Sequence, residues 1–396
     1  MSEAAEFRAD TRAWLQENCP PDARGNGVIP WGSSKIELPT DSRVWLENMA
    51  NKGWTVPTWP KEYGGAALDS AQYLILMEEL RRINARAPLT GRGVYYIGPT
   101  ILEFGTDEQK ARWLPGMARG DGGWCMGYSE PGAGSDLASL STKAVREGDQ
   151  YIINGRKTWT SEAMYGDYIF ALARTDSTVA KHDGISLILI DMNQPGVQVR
   201  PIRLISGDSP FCETLFEDAT ARVSDIIGPV NGGWTVGKRL LQYERSMHAG
   251  INISGTQGRV VDTPLSEIFS GLLPTADDSS RILDNDQRST LLNQQMRHRA
   301  YEITQRRAIE ETQARAPGFT SSVLKLIGTR LKQERDELHL AALGFDGLGW
   351  EGEDIPKEAL KHTRTWLQNK SLTIAGGTAE IQLNIIAKRV LGLPDA

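Results

Sequence analysis

The stretch YIFALARTDSTVAKHDGISLILID, residues 168–191, is the clearest indication of the fold. Two short apolar runs, YIFALA and ISLILID, flank a polar segment rich in Asp, Ser and Gly, which is the pattern of two strands joined by a turn. Similar runs recur at 151–153, 197–202 and 213–219. This spacing predicts a small antiparallel β-barrel or sandwich.

The sequence on both sides of this strand block follows helical patterns. FGTDEQKARWLPGMARGD predicts a helix capped by Thr106 or Asp107. We therefore predict an α+β, mostly α protein with an N-terminal α-helical domain (1–120), a middle β-domain (121–228) and a C-terminal four-helix bundle (229–396). Helical patterns in the last part cover 234–257, 280–312, 319–343, 356–370 and 379–391, and LSEIFSGLLPTADDSS between the first two is a loop or a short helix.

Composition narrows the class of protein. A net charge of −6 and a sequence pI near 5.6 disfavour a protein that neutralises phosphates along a nucleic acid. The three cysteines lack metal-ligand spacing, so we expect no metal site and a reduced, cytoplasmic setting. The acidic N-terminus is unlike a secretion signal, and no run reaches the roughly 18 apolar residues of a membrane span.

Two neighbouring stretches have features of a nucleotide-like binding site. In SEPGAGSDLASLSTKA (129–144), a Gly-x-Gly-Ser turn frees N–H groups to face a phosphate, although a plain surface turn capped by Asp136 has the same residues. In INGRKTWTSEA (153–163), the Asn-Gly pair predicts a hairpin turn. The next strand would present Trp159 and Ser161 on one face, either to a flat heterocycle or as a half-buried structural tryptophan and its neighbour.

Glu244 borders an apolar stripe in GGWTVGKRLLQYERSMHAG, residues 232–250. A carboxylate in that position is poorly solvated when charged, which suits it to proton transfer. The alternative is a solvated glutamate beside Arg245 at the margin of a helix.

A second unusual stretch is AGGTAEIQ, residues 375–382, where two glycines and a threonine interrupt two helical patterns. A glycine within a helix costs about 1 kcal/mol relative to alanine. The cost of this break indicates that the turn it forms has a function.

Together these stretches resemble the acyl-CoA dehydrogenase family. GYSEPGAGSDLASLSTKA and YIINGRKTWTSEA resemble its two flavin-binding signatures, and IAGGTAEIQLNIIAKRVLGLP resembles its C-terminal signature. KEYGGAAL and FGTDEQKARWLPGMARGD resemble its N-terminal helices, so the similarity covers nearly the whole chain in the right order. The resemblance implies a helical domain, a β-domain and a four-helix bundle, with FAD held by the last two.

The resemblance also implies roles for individual residues. Tyr128 and Ser129 would meet the flavin ring. Trp159 would stack on the isoalloxazine, and Ser161 would reach its N5 edge. Further positions carried over are Gly134 and Ser135 near the cofactor pyrophosphate or the CoA arm of the substrate, Thr378 and Glu380 at the ADP half of FAD, and Arg245 at the mouth of the acyl-CoA site.

The implied reaction is α,β-dehydrogenation of an acyl-CoA thioester, with α-proton abstraction by a carboxylate and β-hydride transfer to flavin N5. Many family members carry the catalytic glutamate where this chain has Gly376. The isovaleryl-CoA and long-chain branches place it on an earlier helix, just before an arginine, which is the position of Glu244. We therefore expect Glu244 as the base, Gly376 as a backbone N–H donor to the thioester, and a branched, long or ring-bearing acyl group.

Two departures from the family bear on its partners. The Arg-x-x-Phe-Gly motif, which usually contacts FAD across a subunit interface, is absent from 258–275, and Gly-Gly-x-Gly is present only as GFDGLG (344–349). The resemblance implies electron-transferring flavoprotein as electron acceptor. The missing motif leaves two assemblies open, a homo-oligomer or a heteromer with a related subunit. Alternatives are an acyl-CoA oxidase, a nitroalkane oxidase, a desulfinase, a relative of the alkylation-response flavoproteins, or an inactive partner subunit.

Overall fold

The computed structural model of the chain describes residues 2–25, 32–248, 285–313 and 320–394. The chain divides into two compact units. One contains Met1–Ile202 and Pro210–Glu244, and the other contains Arg203–Ser209 and the described residues from 285 onward. The predicted order of helices, strands and helices is confirmed. No helix in the described ranges has the length and apolar composition needed to cross a membrane.

The N-terminal part is helical, as predicted. Thr106 caps its last helix: the Thr106 hydroxyl accepts a hydrogen bond from the N–H of Gln109, and the Gln109 side chain accepts one from the N–H of Thr106. A π-helical turn, Gly93–Ile97, carries Tyr96 and leads directly into the helix Gly98–Phe104. The helices are α1 (Glu3–Asn18), α2 (Thr40–Asn51), α3 (Ser70–Arg82), α4 (Gly98–Phe104) and α5 (Asp107–Arg119).

Eight strands of the described chain form one mixed sheet, in the order β6-β7-β3-β2-β4-β5-β8 with β1 paired to β4. The predicted strands over 168–173, 185–191 and 197–202 are confirmed, and most pairs are antiparallel. Two pairs, β1 with β4 and β2 with β4, are parallel. The strands are β1 (Trp124–Gly127), β2 (Lys143–Glu147), β3 (Gln150–Ser161), β4 (Tyr168–Arg174), β5 (Ile185–Asp191), β6 (Val197–Ile202), β7 (Phe211–Arg222) and β8 (Ile226–Ile227).

The hairpin turn predicted at Asn154-Gly155 is wrong, because both residues lie inside β3. The chain turns earlier, at Gly148, which has a φ of +64°. Asn154 instead exchanges two hydrogen bonds with Asp218 on β7, where the β3–β7 register shifts. Gly155 is needed there because its φ is +150° and a Cβ would lie 2.6 Å from the Cα of Thr142.

The C-terminal helical patterns are also confirmed where the structure describes them. In the second unit, a central helix (Thr320–Leu343) contacts three others, which are Asn285–Gln313, Lys357–Asn369 and Ala379–Ile385. The predictions for 249–257 and for LSEIFSGLLPTADDSS lie outside the described residues. The helices are α6 (Gly233–His248), α7 (Asn285–Gln313), α8 (Thr320–Leu343), α9 (Lys357–Asn369) and α10 (Ala379–Ile385), the last followed by a π-helical turn, Ile386–Val390.

Replacing Gly155 by alanine is expected to lower the free energy of unfolding by about 2–4 kcal/mol, because the new Cβ clashes with Thr142 in a strained backbone conformation. Thermal unfolding followed by circular dichroism measures the loss as a lower Tm. Gly132→Ala is the matched control, since a Cβ there meets nothing within 4 Å. Equal Tm values for the two variants would contradict this account of β3.

Candidate active site

A buried ion pair joins the two stretches that the sequence singled out in the first unit. The Lys157 side chain is fully buried, and its Nζ lies 2.8 Å from Oε1 of Glu130. Lys157 Nζ also lies 3.3 Å from the carbonyl oxygen of Tyr128, to which it donates. Glu130 in turn accepts hydrogen bonds from the N–H and hydroxyl of Ser141 and from the N–H of Thr142. The pair therefore fixes the 129–144 loop against β3.

The charges of this pair govern the protonation of Glu130. Burial by itself raises the pKa of a carboxyl group, but the charge and hydrogen bond of Lys157, with donors from Thr142 and Ser141, bring the pKa of Glu130 down to about 2. The carboxylate is therefore charged at neutral pH. Sequence reasoning missed this pair, although the alternation of β3 places Lys157 on the same inward face as Ile153, which was a usable signal.

Trp159 lies on an irregularity of β3, where the pairing with β7 slips between Lys157 and Thr160. It has a φ of +58°, which is unusual for a bulky residue. Trp159 is 55% exposed, and its ring lies edge-on to that of Phe211 at a centroid distance of 6.1 Å. Thr160 is buried on the opposite side and Ser161 is half-buried. The indole is thus accessible to a ligand, and its backbone strain is of the kind found at functional sites.

Tyr128 follows β1 and is buried, with its ring edge-on to Phe170. No described residue forms a hydrogen bond with its hydroxyl. Burial raises the pKa of this hydroxyl, and the negative charge of Glu244 raises it further. The neighbouring Ser129 is half-buried, and its carbonyl accepts a hydrogen bond from the N–H of Thr158 at 2.9 Å.

Gly134 and Ser135 belong to an exposed turn that projects from this buried base. Glu130 and Ala133 close the turn by exchanging backbone hydrogen bonds. A Cβ on Gly134 would meet nothing within 4 Å, so the backbone is open to an approaching ligand. Asp136 follows the turn, and its carboxylate accepts hydrogen bonds from the side chains of Ser139 and Lys181. It caps no backbone N–H in the described part of the chain, so the predicted Asp136 cap is wrong.

Glu244 lies on α6 and is 7% exposed, so the alternative of a solvated glutamate does not hold. Its negative charge acts on two buried tyrosines, Tyr96 and Tyr128. Burial raises the pKa of Tyr96 above the ordinary range, and the charge of Glu244 adds to this. The backbone of Arg245 continues α6, but its side chain lies outside the described part of the chain.

Small residues on α6 let this helix approach the sheet. A Cβ on Gly233 would lie 2.5 Å from the Cα of Ser186 on β5, and one on Gly237 would lie 3.5 Å from the Tyr128 hydroxyl. Two glycines four residues apart lie on one helical face. Their spacing was a signal for this contact that sequence reasoning missed.

A polar cluster fixes the rotation of α6 against α4. The Tyr243 hydroxyl donates to Oε2 of Glu103 at 2.6 Å, and Nε of Arg239 donates to the same oxygen at 2.7 Å. Because Tyr243 is held toward α4, the next residue, Glu244, is kept in its buried position beside Tyr96.

In the second unit, Gly376 and Gly377 form the turn that interrupts the helices. Their φ values are +66° and +91°, which explains why glycine occupies both positions. Thr378 then caps α10, its hydroxyl accepting from the N–H of Ile381 at 3.3 Å. Glu380 is exposed in the first turn of α10, where its own N–H and the Thr378 hydroxyl lower the pKa of its carboxyl group. No described residue accepts a hydrogen bond from the N–H of Gly376.

The sequence matches three domains of one family. Residues 1–121 match the acyl-CoA dehydrogenase N-terminal domain, residues 125–219 the middle domain and residues 231–391 the C-terminal domain. Among curated proteins, acyl-CoA dehydrogenase IpdE1 of Mycobacterium tuberculosis is 36% identical over 396 residues, which cover 100% of this chain and 99% of that protein.

Solved structures are also similar to this chain over its full length. The Tcur3481-Tcur3483 steroid ACAD is 28% identical with a TM-score of 0.77, and the match covers 100% of this chain and 99% of that one. The ChsE4-ChsE5 complex from Mycobacterium tuberculosis is 28% identical with a TM-score of 0.74, again covering 100% and 99%.

Replacing Glu130 by glutamine is expected to destabilise the protein in a pH-dependent way. Because the folded pKa of Glu130 is about 2, below its ordinary value of 4.5, its charge stabilises the fold above pH 4.5. This contribution, about 3 kcal/mol, is lost as the pH falls toward 2. The difference in urea midpoint between wild type and Glu130→Gln should therefore be full at pH 6 and narrow below about 4.5.

Asp107→Asn is the control for this measurement, since 97% of the Asp107 side chain is exposed. Its urea midpoint should stay near that of wild type at every pH. A wild-type advantage over Glu130→Gln that persists unchanged at pH 3 would refute the assignment.

Proposed function

The chain belongs to the acyl-CoA dehydrogenase family, and we propose that it is an FAD-dependent enzyme that forms an α,β double bond in an acyl-CoA thioester. The observation that carries the proposal is the burial of Glu244 beside Tyr96 and Tyr128. It gives the first unit a carboxylate away from bulk water, at the position where some branches of the family have their base.

Glu244 is the proposed base. The α-proton of a thioester is weakly acidic, so its removal requires a base held within hydrogen-bond reach of the carbon. The glycine contacts of α6 with the sheet and the Tyr243–Glu103 hydrogen bond fix the helix that carries Glu244. Such fixation lowers the entropic cost of bringing base and proton together.

Gly376 is the proposed donor to the thioester carbonyl. As the α-proton leaves, negative charge develops on the carbonyl oxygen, and a preorganised N–H stabilises it. The N–H of Gly376 has no partner among the described residues, and the residue has no side chain to obstruct a substrate. Arg245 is retained as the proposed contact at the mouth of the acyl-CoA site.

FAD is the proposed cofactor, and the residues of the first unit fit it. An exposed indole at Trp159, an unpartnered Tyr128 hydroxyl and half-buried Ser129 and Ser161 suit a flat heterocycle with polar edges. The open turn at Gly134 and Ser135 suits a pyrophosphate or the CoA arm, and Thr378 and Glu380 are the proposed contacts of the ADP half. When bound, FAD would accept the hydride from the β-carbon.

The proposed substrate class is a branched, long or ring-bearing acyl-CoA, with ring-bearing groups favoured. The solved relative named a steroid ACAD supports this choice, at 28% identity over the full chain. Glycine at 376 also leaves more space than the glutamate that many family members have there.

The proposed partners are a second, related subunit and electron-transferring flavoprotein as electron acceptor. The loss of the Arg-x-x-Phe-Gly motif from the sequence supports a heteromer, since another chain could supply those FAD contacts. The ChsE4-ChsE5 complex, a solved relative, supports the same choice. The segment that would carry the motif, 258–275, lies outside the described residues.

Replacing Glu244 by glutamine should slow anaerobic flavin reduction by acyl-CoA by roughly 10²–10⁴-fold, because the base is lost while its size is kept. Stopped-flow absorbance measures the rate, and the yellow colour of the purified variant reports bound FAD. Asp107→Asn is the control: it changes an exposed carboxylate that has no part in positioning α6 and should react at the wild-type rate. Full activity of Glu244→Gln would exclude it as the base.

A panel of CoA thioesters with straight, branched and ring-bearing acyl groups should reduce the flavin at different rates, fastest for a ring-bearing one.

The chain alone and the chain with a co-expressed related subunit should be compared for FAD content by absorbance and for mass by light scattering. Stoichiometric FAD in the isolated chain would argue against the heteromer. Hydrogen peroxide formed in air without an added acceptor would favour an acyl-CoA oxidase.

A further inference from the structure

Lys325, on α8 in the second unit, is 4% exposed. Its Nζ lies 2.6 Å from the carbonyl oxygen of Gly377 and 3.1 Å from that of Leu372, and donates to both. Burying an ammonium group is costly unless hydrogen bonds replace its water. Here two backbone carbonyls replace part of that water: the carbonyl of Gly377, within the Gly376–Gly377 turn, and that of Leu372, which precedes the turn.

Gln382, on α10, also holds this turn. Its side chain is buried, and Nε2 donates to the carbonyl oxygens of Gly376 at 3.2 Å and Gly377 at 3.4 Å. The amide orientation follows from these contacts, because the oxygen of the side chain would repel the carbonyls. Lys325 and Gln382 together hold the carbonyls of Leu372, Gly376 and Gly377, and both donate to that of Gly377.

The anchored carbonyls limit the directions that the N–H of Gly376 can take. This N–H lies in the peptide plane that contains the Ala375 carbonyl. Its direction therefore depends on the torsions of Ala375 and Gly376, which are restrained when the Gly376 carbonyl is held. On the N-terminal side, the N–H of Ala375 donates to the carbonyl oxygen of Ser371 at 2.9 Å. The Gly376 N–H lies between these anchors and is itself unpartnered within the described chain.

Glycine makes such anchoring necessary. Gly376 and Gly377 have no Cβ to restrict their torsions, and glycine visits more backbone conformations than any other residue. Without external hydrogen bonds, the direction of the N–H would fluctuate. An N–H stabilises developing charge well only when its direction is set before the reaction.

We propose that Lys325 is a positioning residue that holds the Gly376–Gly377 turn, so that the Gly376 N–H is directed at the thioester carbonyl of the substrate. This inference rests on the proposed function, in which Gly376 donates to that carbonyl. Lys325 itself touches neither the substrate nor the cofactor in this role. It acts through the carbonyls of Leu372 and Gly377.

The test uses the holoenzyme and two readouts. Acetoacetyl-CoA is the first probe, because it can ionise at its α-carbon without being oxidised, and the absorbance of its enolate reports how strongly the site stabilises that charge. The second readout is the rate of anaerobic flavin reduction by the best acyl-CoA of the substrate panel, measured over a range of concentrations to separate the limiting rate from the apparent KM.

Lys325→Met removes the ammonium and keeps the length of the side chain. Lys325→Gln keeps a hydrogen-bond donor on a shorter side chain. It is the variant to measure if Lys325→Met fails to fold. Gln333→Met is the matched control: Gln333 lies on the same helix and donates to the carbonyls of Asn369 and Lys370, outside the glycine turn.

We expect Lys325→Met to reduce the enolate fraction of bound acetoacetyl-CoA and the limiting reduction rate by about tenfold to a hundredfold, since a small misplacement of a catalytic donor has an effect of this size. The apparent KM should change only a few-fold, as for an interaction made mainly in the transition state. Lys325→Gln should lie between Lys325→Met and wild type, and Gln333→Met should match wild type.

Folded, FAD-loaded Lys325 variants that match wild type in both readouts would overturn this inference and leave the proposed function standing. So would a loss of thermal stability with unchanged readouts, which would indicate a purely structural role. If wild type neither ionises acetoacetyl-CoA nor is reduced by any acyl-CoA, the proposed function fails, and this inference fails with it.

Discussion

The ion pair between Lys157 and Glu130 is the interaction on which the arrangement of the first unit depends. It is buried, and its members come from the two stretches that resemble the flavin-binding signatures of the family. An unpaired charge in either position would be strongly destabilising, so the two stretches must fold against each other. Once they do, Tyr128 and Ser129 lie beside the strand that carries Trp159 and Ser161, joined by the hydrogen bond from Thr158 to Ser129.

The second unit uses the same physical device. Lys325 is a buried ammonium that donates to backbone carbonyls, as Lys157 does to the carbonyl of Tyr128. In both units a lysine from a regular element holds a glycine-containing loop, which by itself would be conformationally free. The two loops are the ones proposed to bind ligands, one the FAD or the CoA arm and the other the thioester. Rigid elements therefore position flexible segments that must come close to a ligand.

Much of the fold could be predicted from sequence, because it depends on short-range patterns. The apolar run ISLILID and the Thr106 capping box are local signals, and both correspond to the observed elements. The Asn-Gly prediction failed for a physical reason: turn propensity is local, whereas Asn154 is held inside β3 by its hydrogen bonds to Asp218, a residue distant in sequence. The irregularity at Trp159 likewise depends on how β3 pairs with β7.

The sequence by itself determined the order of helices and strands, the resemblance to one enzyme family, and Glu244 as the candidate base in the absence of a glutamate at position 376. The order of elements follows from the spacing of residues along the chain, and the choice of Glu244 follows from the resemblance to the family. Only the tertiary structure decided that Glu244 is buried, that Trp159 is exposed, and that Lys157 and Lys325 are enclosed by hydrogen-bond acceptors. Burial and partnership depend on residues far apart in sequence, and no local pattern determines which of them meet.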